Sequence, residues 1–203
     1  MAKKNPSYLI FEVQLLEADI PVWRIIEISK TATLKELACT ILCAMGWEGN
    51  HTYQFKIGEK LYFNFERDLT FLDFMPREKL ALSKDHKLKE FDWSIGDSFE
   101  FEYDMGDSWR HSVTLKGLGG KNAFWGLPFC SSGSMACPPE DIGGVHVYNQ
   151  IVDFVLNKKP IEVNPDLEEH FHDFDPFTTE TIASPVFTMW VKSMMKAYSR
   201  PEG

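Results

Sequence analysis

A stretch that alternates apolar and acidic side chains and then reverses direction places the strongest constraint on the fold of this chain. Over Phe99–Tyr103 aromatic residues alternate with glutamates, the period of a strand with one buried face. Asp104–Asp107 then supplies turn residues, and Gly106 can adopt the positive φ of a tight hairpin. On the return strand, Trp109 and His111 fall on the apolar face. The pattern therefore predicts a β-hairpin with His111 on its apolar side, near two carboxylates at the tip.

The first half of the chain predicts further strands and one long helix. Segments rich in β-branched and aromatic residues predict strands at 8–16, 22–28, 51–57 and 61–65. The helix begins at a capping box formed by Thr33 and Glu36, and it ends near Gly46. The order of these elements predicts an α+β fold, with a β-grasp-like mixed sheet crossed by this helix.

The last third of the chain has a different character. Residues 127–144 are dense in Pro, Gly, Ser and Cys and predict a loop. Helices are predicted over Val145–Leu156 and over Ser184–Tyr198, where Ser184 is a candidate N-cap. We expect one domain over residues 1–203, with a β-rich core at about 8–116 and a loop and helical part at about 117–200, because no clear linker precedes residue 117. The helical C-terminal third is expected to pack on one face of the sheet.

Composition excludes several classes of protein. The formal net charge of −9 argues against a broadly basic surface and hence against direct nucleic-acid binding. The sequence contains no apolar run long enough to span a bilayer, so we expect no membrane insertion. Four cysteines in 203 residues are too few for a disulfide scaffold, and the start of the chain lacks a signal-peptide core. An acidic cytoplasmic protein is therefore expected.

Asp104, Asp107 and His111 are the first candidate site residues. Two carboxylates and an imidazole at a hairpin tip can bind a divalent cation or carry out acid–base chemistry. The structural alternative is that both aspartates accept backbone hydrogen bonds in the turn. Under that alternative His111 is a packed histidine oriented by a carboxylate.

The loop before the second predicted helix supplies the other candidates. Cys130 and Cys137 are seven positions apart, which is wider than the spacing in zinc ribbons, so a zinc site competes with plain burial of both thiols. Glu140 and Asp141 precede a helix start, where the helix dipole stabilises negative charge. Alternatively, the loop presents one of these carboxylates to the hairpin tip and completes a cluster with Asp104, Asp107 and His111.

Several segments, in order along the chain, resemble the motifs of the plasmid pRiA4b ORF-3-like family. They are Pro21–Arg24, Thr33–Leu37 with Ala44–Trp47 and His51, Tyr103–His111, Cys137–Gly144 and Phe174–Phe177. The resemblance implies a β-grasp-type α+β fold. It implies little about activity, because the family is largely uncharacterised and its members are described from bacteria, archaea and plasmids, some as passengers of insertion elements. Ile142 stands where some members have a further cysteine, which argues against a thiolate metal site carried over from relatives.

Two hypotheses about function follow. The first is a non-catalytic binding or adaptor module, associated with plasmids or mobile elements, that binds a protein partner through the hairpin tip and the Pro138–Gly144 loop. The second is a metal-dependent hydrolase or nuclease. Its ligands or general base would come from Asp104, Asp107, His111, Glu140 and Asp141. The sequence establishes no cofactor, and a divalent metal is the one that these residue types would accept.

Overall fold

The computed structural model of the protein describes residues 7–64, 76–119, 127–178 and 185–198. These residues contain eight strands, all in one sheet. The strands are β1 (Tyr8–Leu15), β2 (Trp23–Ser29), β3 (Tyr53–Ile57), β4 (Lys60–Phe63), β5 (Leu80–Leu82), β6 (Ser98–Tyr103), β7 (Trp109–Gly119) and β8 (Phe129–Ser134). Their order across the sheet is β5-β4-β3-β6-β7-β1-β2-β8.

Neighbouring strands run antiparallel except at one edge, where β4 and β5 are parallel. Strands β6 and β7 form the predicted hairpin, in which Phe101 lies opposite His111 and Tyr103 lies opposite Trp109. Strand β3 pairs with the other side of β6 and places Tyr53 opposite Tyr103. The predicted α+β class and mixed sheet are thus confirmed, whereas the β-grasp assignment stays a prediction.

The described residues also contain four α-helices. They are α1 (Leu34–Met45), α2 (Val145–Asn157), α3 (Leu167–Phe171) and α4 (Pro185–Ala197). The predicted capping box is present, because the Thr33 side chain accepts from Glu36 N and the Glu36 carboxylate accepts from Thr33 N. Helix α1 ends at Gly46, whose φ of 85° is readily accessible to glycine. Ser184, the predicted cap of α4, lies outside the described residues. No helix within the described ranges has the length and apolarity required to cross a bilayer.

The core lies on one face of the sheet. Leu9, Phe11 and Val13 of β1 are fully buried, whereas Ile10 and Glu12 between them are more exposed. Most residues of α1 are buried because the helix covers the apolar face of the sheet, and α4 packs against α1. The apolar face of the β6–β7 hairpin therefore faces the core.

The C-terminal part contributes a strand that the sequence analysis assigned to a loop. Residues Phe129–Ser134 form β8, which pairs antiparallel with β2 at the edge of the sheet. Only Phe129 and Cys130 of this strand are buried, so the Ser- and Gly-rich remainder shows no apolar alternation. The prediction that 117–200 consists of loops and helices is therefore wrong at β8, while α2 and α4 are helices where helices were predicted.

A buried arginine connects this edge of the sheet to α1. Arg24 of β2 is only 3% exposed, and its guanidinium donates to four backbone carbonyls and one sulfur. The acceptors are Ala44 O (2.9 Å), Trp23 O (2.8 Å), Ser134 O (3.0 Å), Met135 O (3.1 Å) and Cys137 Sγ (3.0 Å). Because Ala44 lies in the last turn of α1, the partial negative charge of the helix end also stabilises the cation. Gly133 of β8 makes room for the Arg24 stem, since a Cβ atom there would lie 2.6 Å from Arg24 Cδ.

Candidate functional site

The tip of the β6–β7 hairpin contacts the loop that precedes α2. We call this region, formed by Asp104–Ser108 and Pro138–Gly144, the tip–loop junction. Gly143 N donates to Asp107 Oδ2 at 3.0 Å. The backbone of Gly144 passes so close to the hairpin that a Cβ atom there would lie 2.7 Å from Asp107 O. The predicted apposition of hairpin tip and loop is therefore present, and Asp107 is one of the residues that hold it together.

Glu140 fixes the loop through one carboxylate oxygen. Its Oε1 accepts from Tyr103 Oη at 2.6 Å, from Glu48 N at 3.1 Å and from Gly49 N at 3.4 Å. Burial and the hydrogen bond to this carboxylate raise the pKa of Tyr103, so the phenol stays protonated and donates. Glu140 thus joins β6, the loop and the segment after α1, which is a positioning role for its Oε1.

Three other side chains converge at the junction. His51, Asp104 and Asp141 each direct one potential ligand atom to a common point, and these atoms lie within 4.8 Å of one another. His51 Nε2 lies 2.9 Å from Asp141 Oδ1 and 3.7 Å from Asp104 Oδ2. Asp104 is buried, whereas the side chain of Asp141 is 70% exposed. The cluster is therefore closed on the hairpin side and open to solvent on the loop side.

Local backbone geometry places these side chains. Asp104 follows β6 with a φ of 55°, and Asp141 has a φ of 60°. Asp104 N donates to Thr52 O at 2.9 Å, which brings the segment before β3 beside the hairpin tip. Asp104 Oδ1 accepts from Gly106 N at 2.9 Å, and the other oxygen, Oδ2, is the one nearest His51. The hairpin turn thus orients Asp104 toward the imidazole.

An imidazole with two carboxylates is a ligand set for borderline divalent ions such as Zn²⁺, Mn²⁺ and Fe²⁺. Ligand atoms bonded at about 2.1 Å to one ion lie about 3.0–3.5 Å from each other. The two distances from His51 Nε2, 2.9 and 3.7 Å, fall on either side of this range, and all three ligand atoms lie within 4.8 Å of one another. Three protein ligands would leave positions on the ion for water or for an oxygen of another molecule.

His111, predicted as part of the site, lies in the core instead. It is fully buried, and its Nδ1 lies 3.3 Å from Phe101 O, which can only accept, so Nδ1 carries the proton. Its ring packs edge-on against Trp47, with the ring centroids 5.3 Å apart. Burial lowers the pKa of His111 to about 4, so the imidazole is neutral at physiological pH. The structural explanation therefore describes His111, with a carbonyl in the place of the expected carboxylate.

The two candidate cysteines are hydrogen-bonded elsewhere. Cys137 Sγ lies 3.0 Å from Arg24 Nη2 and 3.2 Å from Met45 Sδ, and Cys130 Sγ donates to Ser132 O at 3.4 Å. Burial raises the pKa of Cys137 to about 12, and it also raises the pKa of Cys130 above its ordinary value. Within the described part of the chain, the cluster of His51, Asp104 and Asp141 is the one with the spacing of a metal site, and neither thiol belongs to it.

Sequence reasoning named two members of this cluster, Asp104 and Asp141, but placed His111 beside them, whereas the structure places His51 there. His51 immediately precedes the segment that pairs with β6, and the register Tyr53 opposite Tyr103 carries it to the hairpin tip. If the predicted strand at 51–57 had been paired with the first strand of the hairpin, the sequence would have indicated that His51 lies near the hairpin tip. The strand patterns alone do not specify which strands are neighbours.

Comparisons with known proteins agree with this architecture. The crystal structure of a protein of unknown function, MM3350 from Methanosarcina mazei Go1, is similar with a TM-score of 0.71 and 22% sequence identity. The similarity covers 88% of this chain and 97% of that one, and at this identity it shows the fold alone. Uncharacterized protein y4hQ of Sinorhizobium fredii (strain NBRC 101917 / NGR234) is 26% identical over 156 residues, which is 72% of each chain.

A family match covers most of the chain and includes every residue of the site. The family described as plasmid pRiA4b ORF-3-like protein matches residues 7–182, a range that contains the tip–loop junction and His51. Of the segments that carried the resemblance at the level of sequence, His51, Tyr103–His111 and Cys137–Gly144 meet at that junction in the fold. The chain therefore belongs to the plasmid pRiA4b ORF-3-like protein family.

Proposed function

We propose that this protein is a binding module that holds a divalent cation at the tip–loop junction and uses it to bind an oxygen-bearing group of a partner protein. The observation that carries this proposal is the convergence of His51, Asp104 and Asp141 within 4.8 Å. The remaining coordination positions of the ion would face the open side, where Asp141 is largely exposed. A carboxylate of the partner is the chemical group that best completes such a site.

The surface around the cluster supports a binding role. Met105 at the hairpin tip is 43% exposed, and methionine adapts well to the surface of a partner. Asp107 and Glu140 are occupied by hydrogen bonds from Gly143 and Tyr103, so they hold the surface in shape. A preorganised surface loses little conformational entropy when it binds.

A metal-dependent hydrolase or nuclease is the second candidate function. It is favoured by the count of protein ligands, because catalytic zinc sites also use three and leave one position for water. The two functions differ in a simple assay. A hydrolase loaded with Zn²⁺ or Mn²⁺ would cleave bis(4-nitrophenyl) phosphate or a nitrophenyl ester, and Asp141→Asn would abolish that turnover. A binding module would show no turnover with either metal.

We also propose a setting for this function. All four cysteines are unpaired, which fits a reducing compartment such as the cytoplasm. The acidic net charge of −9 favours a protein partner over nucleic acid. We take the chain as a single domain, since the described strands share one sheet. Association with mobile elements stays a prediction, because the family description names a plasmid origin and nothing about this chain.

The test is a titration of the purified, chelator-treated protein with Mn²⁺. The electron paramagnetic resonance signal of the free ion measures how much Mn²⁺ remains unbound. We expect one ion per chain. Replacing a ligand by its uncharged counterpart, in His51→Gln or Asp141→Asn, should weaken binding by at least about tenfold.

His86→Gln is the matched control for this titration. His86 Nδ1 lies 3.2 Å from Glu90 Oε2, so the control removes a similar half-exposed histidine–carboxylate pair outside the cluster. The control should bind Mn²⁺ as the native chain does. The proposal is wrong if the native chain binds neither Mn²⁺ nor Zn²⁺, or if the ligand variants bind as tightly as the control.

A further inference from the structure

We infer that helix α4 regulates the cation site by holding the segment Glu48–His51, so that docking of α4 and cation binding strengthen each other. The inference rests on the proposed cation binding. Helix α4 begins at Pro185, beyond residue 182 where the family match ends, so this regulation would be set by a part of the chain outside that match.

Tyr198, one residue past the end of α4, makes the direct connection. Its hydroxyl donates to His51 O at 3.0 Å, and its ring packs edge-on against Tyr53 with the centroids 5.5 Å apart. Tyr198 N donates to Met194 O at 3.0 Å, which continues the helical hydrogen bonding to this residue. The position of the His51 backbone, and with it the imidazole, is therefore tied to the end of α4.

The packing around Gly49 strengthens this connection. Gly49 has a φ of 78°, and a Cβ atom there would lie 3.1 Å from Met194 Sδ and 3.2 Å from Tyr198 Oη. The backbone at Gly49 thus lies directly against α4. A shift of the helix would change the path of the chain only two residues before the ligand His51.

The opposite side of the same segment is held by the loop that carries Asp141. Glu140 Oε1 accepts from Glu48 N and from Gly49 N, so the segment lies between Glu140 and α4. A cation bound to both His51 and Asp141 would connect these two sides. Cation binding would then stabilise the docked position of α4.

Thermodynamic linkage makes this coupling reciprocal. If docked α4 raises cation affinity by a given factor, the bound cation favours docking by the same factor. Helix α4 is well placed for such a role, since Val191, Met194 and Tyr198 are buried while Met189 on the same helix is 67% exposed. Tyr198 is therefore a positioning residue for the site, acting through the His51 backbone.

Tyr198→Phe tests this inference, because it keeps the ring and removes only the hydroxyl that donates to His51 O. We expect Mn²⁺ to bind about two- to tenfold more weakly, the effect of one hydrogen bond. Ser83→Ala is the control, since it removes a buried hydroxyl that is not part of the cluster. This hydroxyl is hydrogen-bonded to Tyr53 Oη at 2.8 Å. A general loss of stability would weaken Mn²⁺ binding in both variants, whereas positioning would affect Tyr198→Phe alone.

Hydrogen exchange in the native chain gives a second readout that needs no variant. Addition of Mn²⁺ should slow amide exchange in α4 and leave exchange in the β4–β5 edge unchanged. Suppose that the native chain binds Mn²⁺, that Tyr198→Phe binds it with equal affinity, and that exchange in α4 does not change. These results together would overturn this inference while leaving the proposed function intact. Absence of Mn²⁺ and Zn²⁺ binding in the native chain would overturn both.

Discussion

His111 shows how burial changes the chemistry of a single residue. The imidazole is enclosed by the core and hydrogen-bonded to Phe101 O, and its pKa falls from 6.5 to about 4. The unfolded chain therefore binds a proton at a higher pH than the folded chain does. The part of the free energy of unfolding that depends on His111 is fully present above pH 6.5. It is lost as the pH falls through that value toward 4.

We predict that protonation of His111 lowers the free energy of unfolding by about 3 kcal/mol as the pH drops from 7 to 4. Urea denaturation at several pH values measures the slope. His111→Leu should flatten the slope in this range, because it removes the group that takes up the proton. An unchanged slope in His111→Leu would contradict the assignment.

His111 and His51 also show how far residue-level prediction from the sequence extends. Strand alternation correctly placed His111 on the apolar face of the hairpin, because that pattern is local. It did not show that His51 lies beside Asp104, because this contact depends on the pairing of β3 with β6. Asp104 and Asp141 were candidates from their turn and loop positions. Only the fold selected them over Asp107 and Glu140.

At the scale of elements, Arg24 joins β2, β8 and the end of α1 through five hydrogen bonds. Arg24→Met should lower the free energy of unfolding by about 3 kcal/mol or more, because it leaves several buried carbonyls without donors. Chemical denaturation measures this loss. Arg110→Met is the control, since the Arg110 side chain is 42% exposed and pairs with Glu17 and Glu100. It should change stability by less than about 1 kcal/mol.

Elements with strong local signals were predictable. The capping box of α1 and the alternation in β1, β6 and β7 are such signals, and these elements lie where they were expected. Strand β8 was not predicted, because its Ser- and Gly-rich sequence is stabilised by pairing with β2 and by its contact with Arg24. Pairing between distant segments leaves no period in the sequence of either segment.

At the scale of the whole molecule, a bound cation should raise the stability of the fold, because it connects segments far apart in sequence. At a concentration one hundred times its dissociation constant, a ligand specific for the folded state adds about 2.7 kcal/mol. We therefore predict that Mn²⁺ or Zn²⁺ raises the melting temperature and that a chelator reverses the rise.

Scanning fluorimetry with and without metal measures this shift, and His51→Gln should lose it while His86→Gln keeps it. A shift of equal size in both variants would mean that the ion binds away from the tip–loop junction.

The backbone angles of Asp104 and Asp141 have a consequence for engineering. Both aspartates have φ near +60°, a left-handed conformation that costs a side-chain-bearing residue roughly 1–2 kcal/mol. Asparagine tolerates this conformation better and glycine adopts it without strain. A library selected for thermal stability alone would therefore drift toward Asn at Asp104, which keeps an acceptor for Gly106 N, and toward Asn or Gly at Asp141. It would yield a more stable protein that had lost the proposed cation site. Selection on this scaffold therefore needs metal binding as a second criterion.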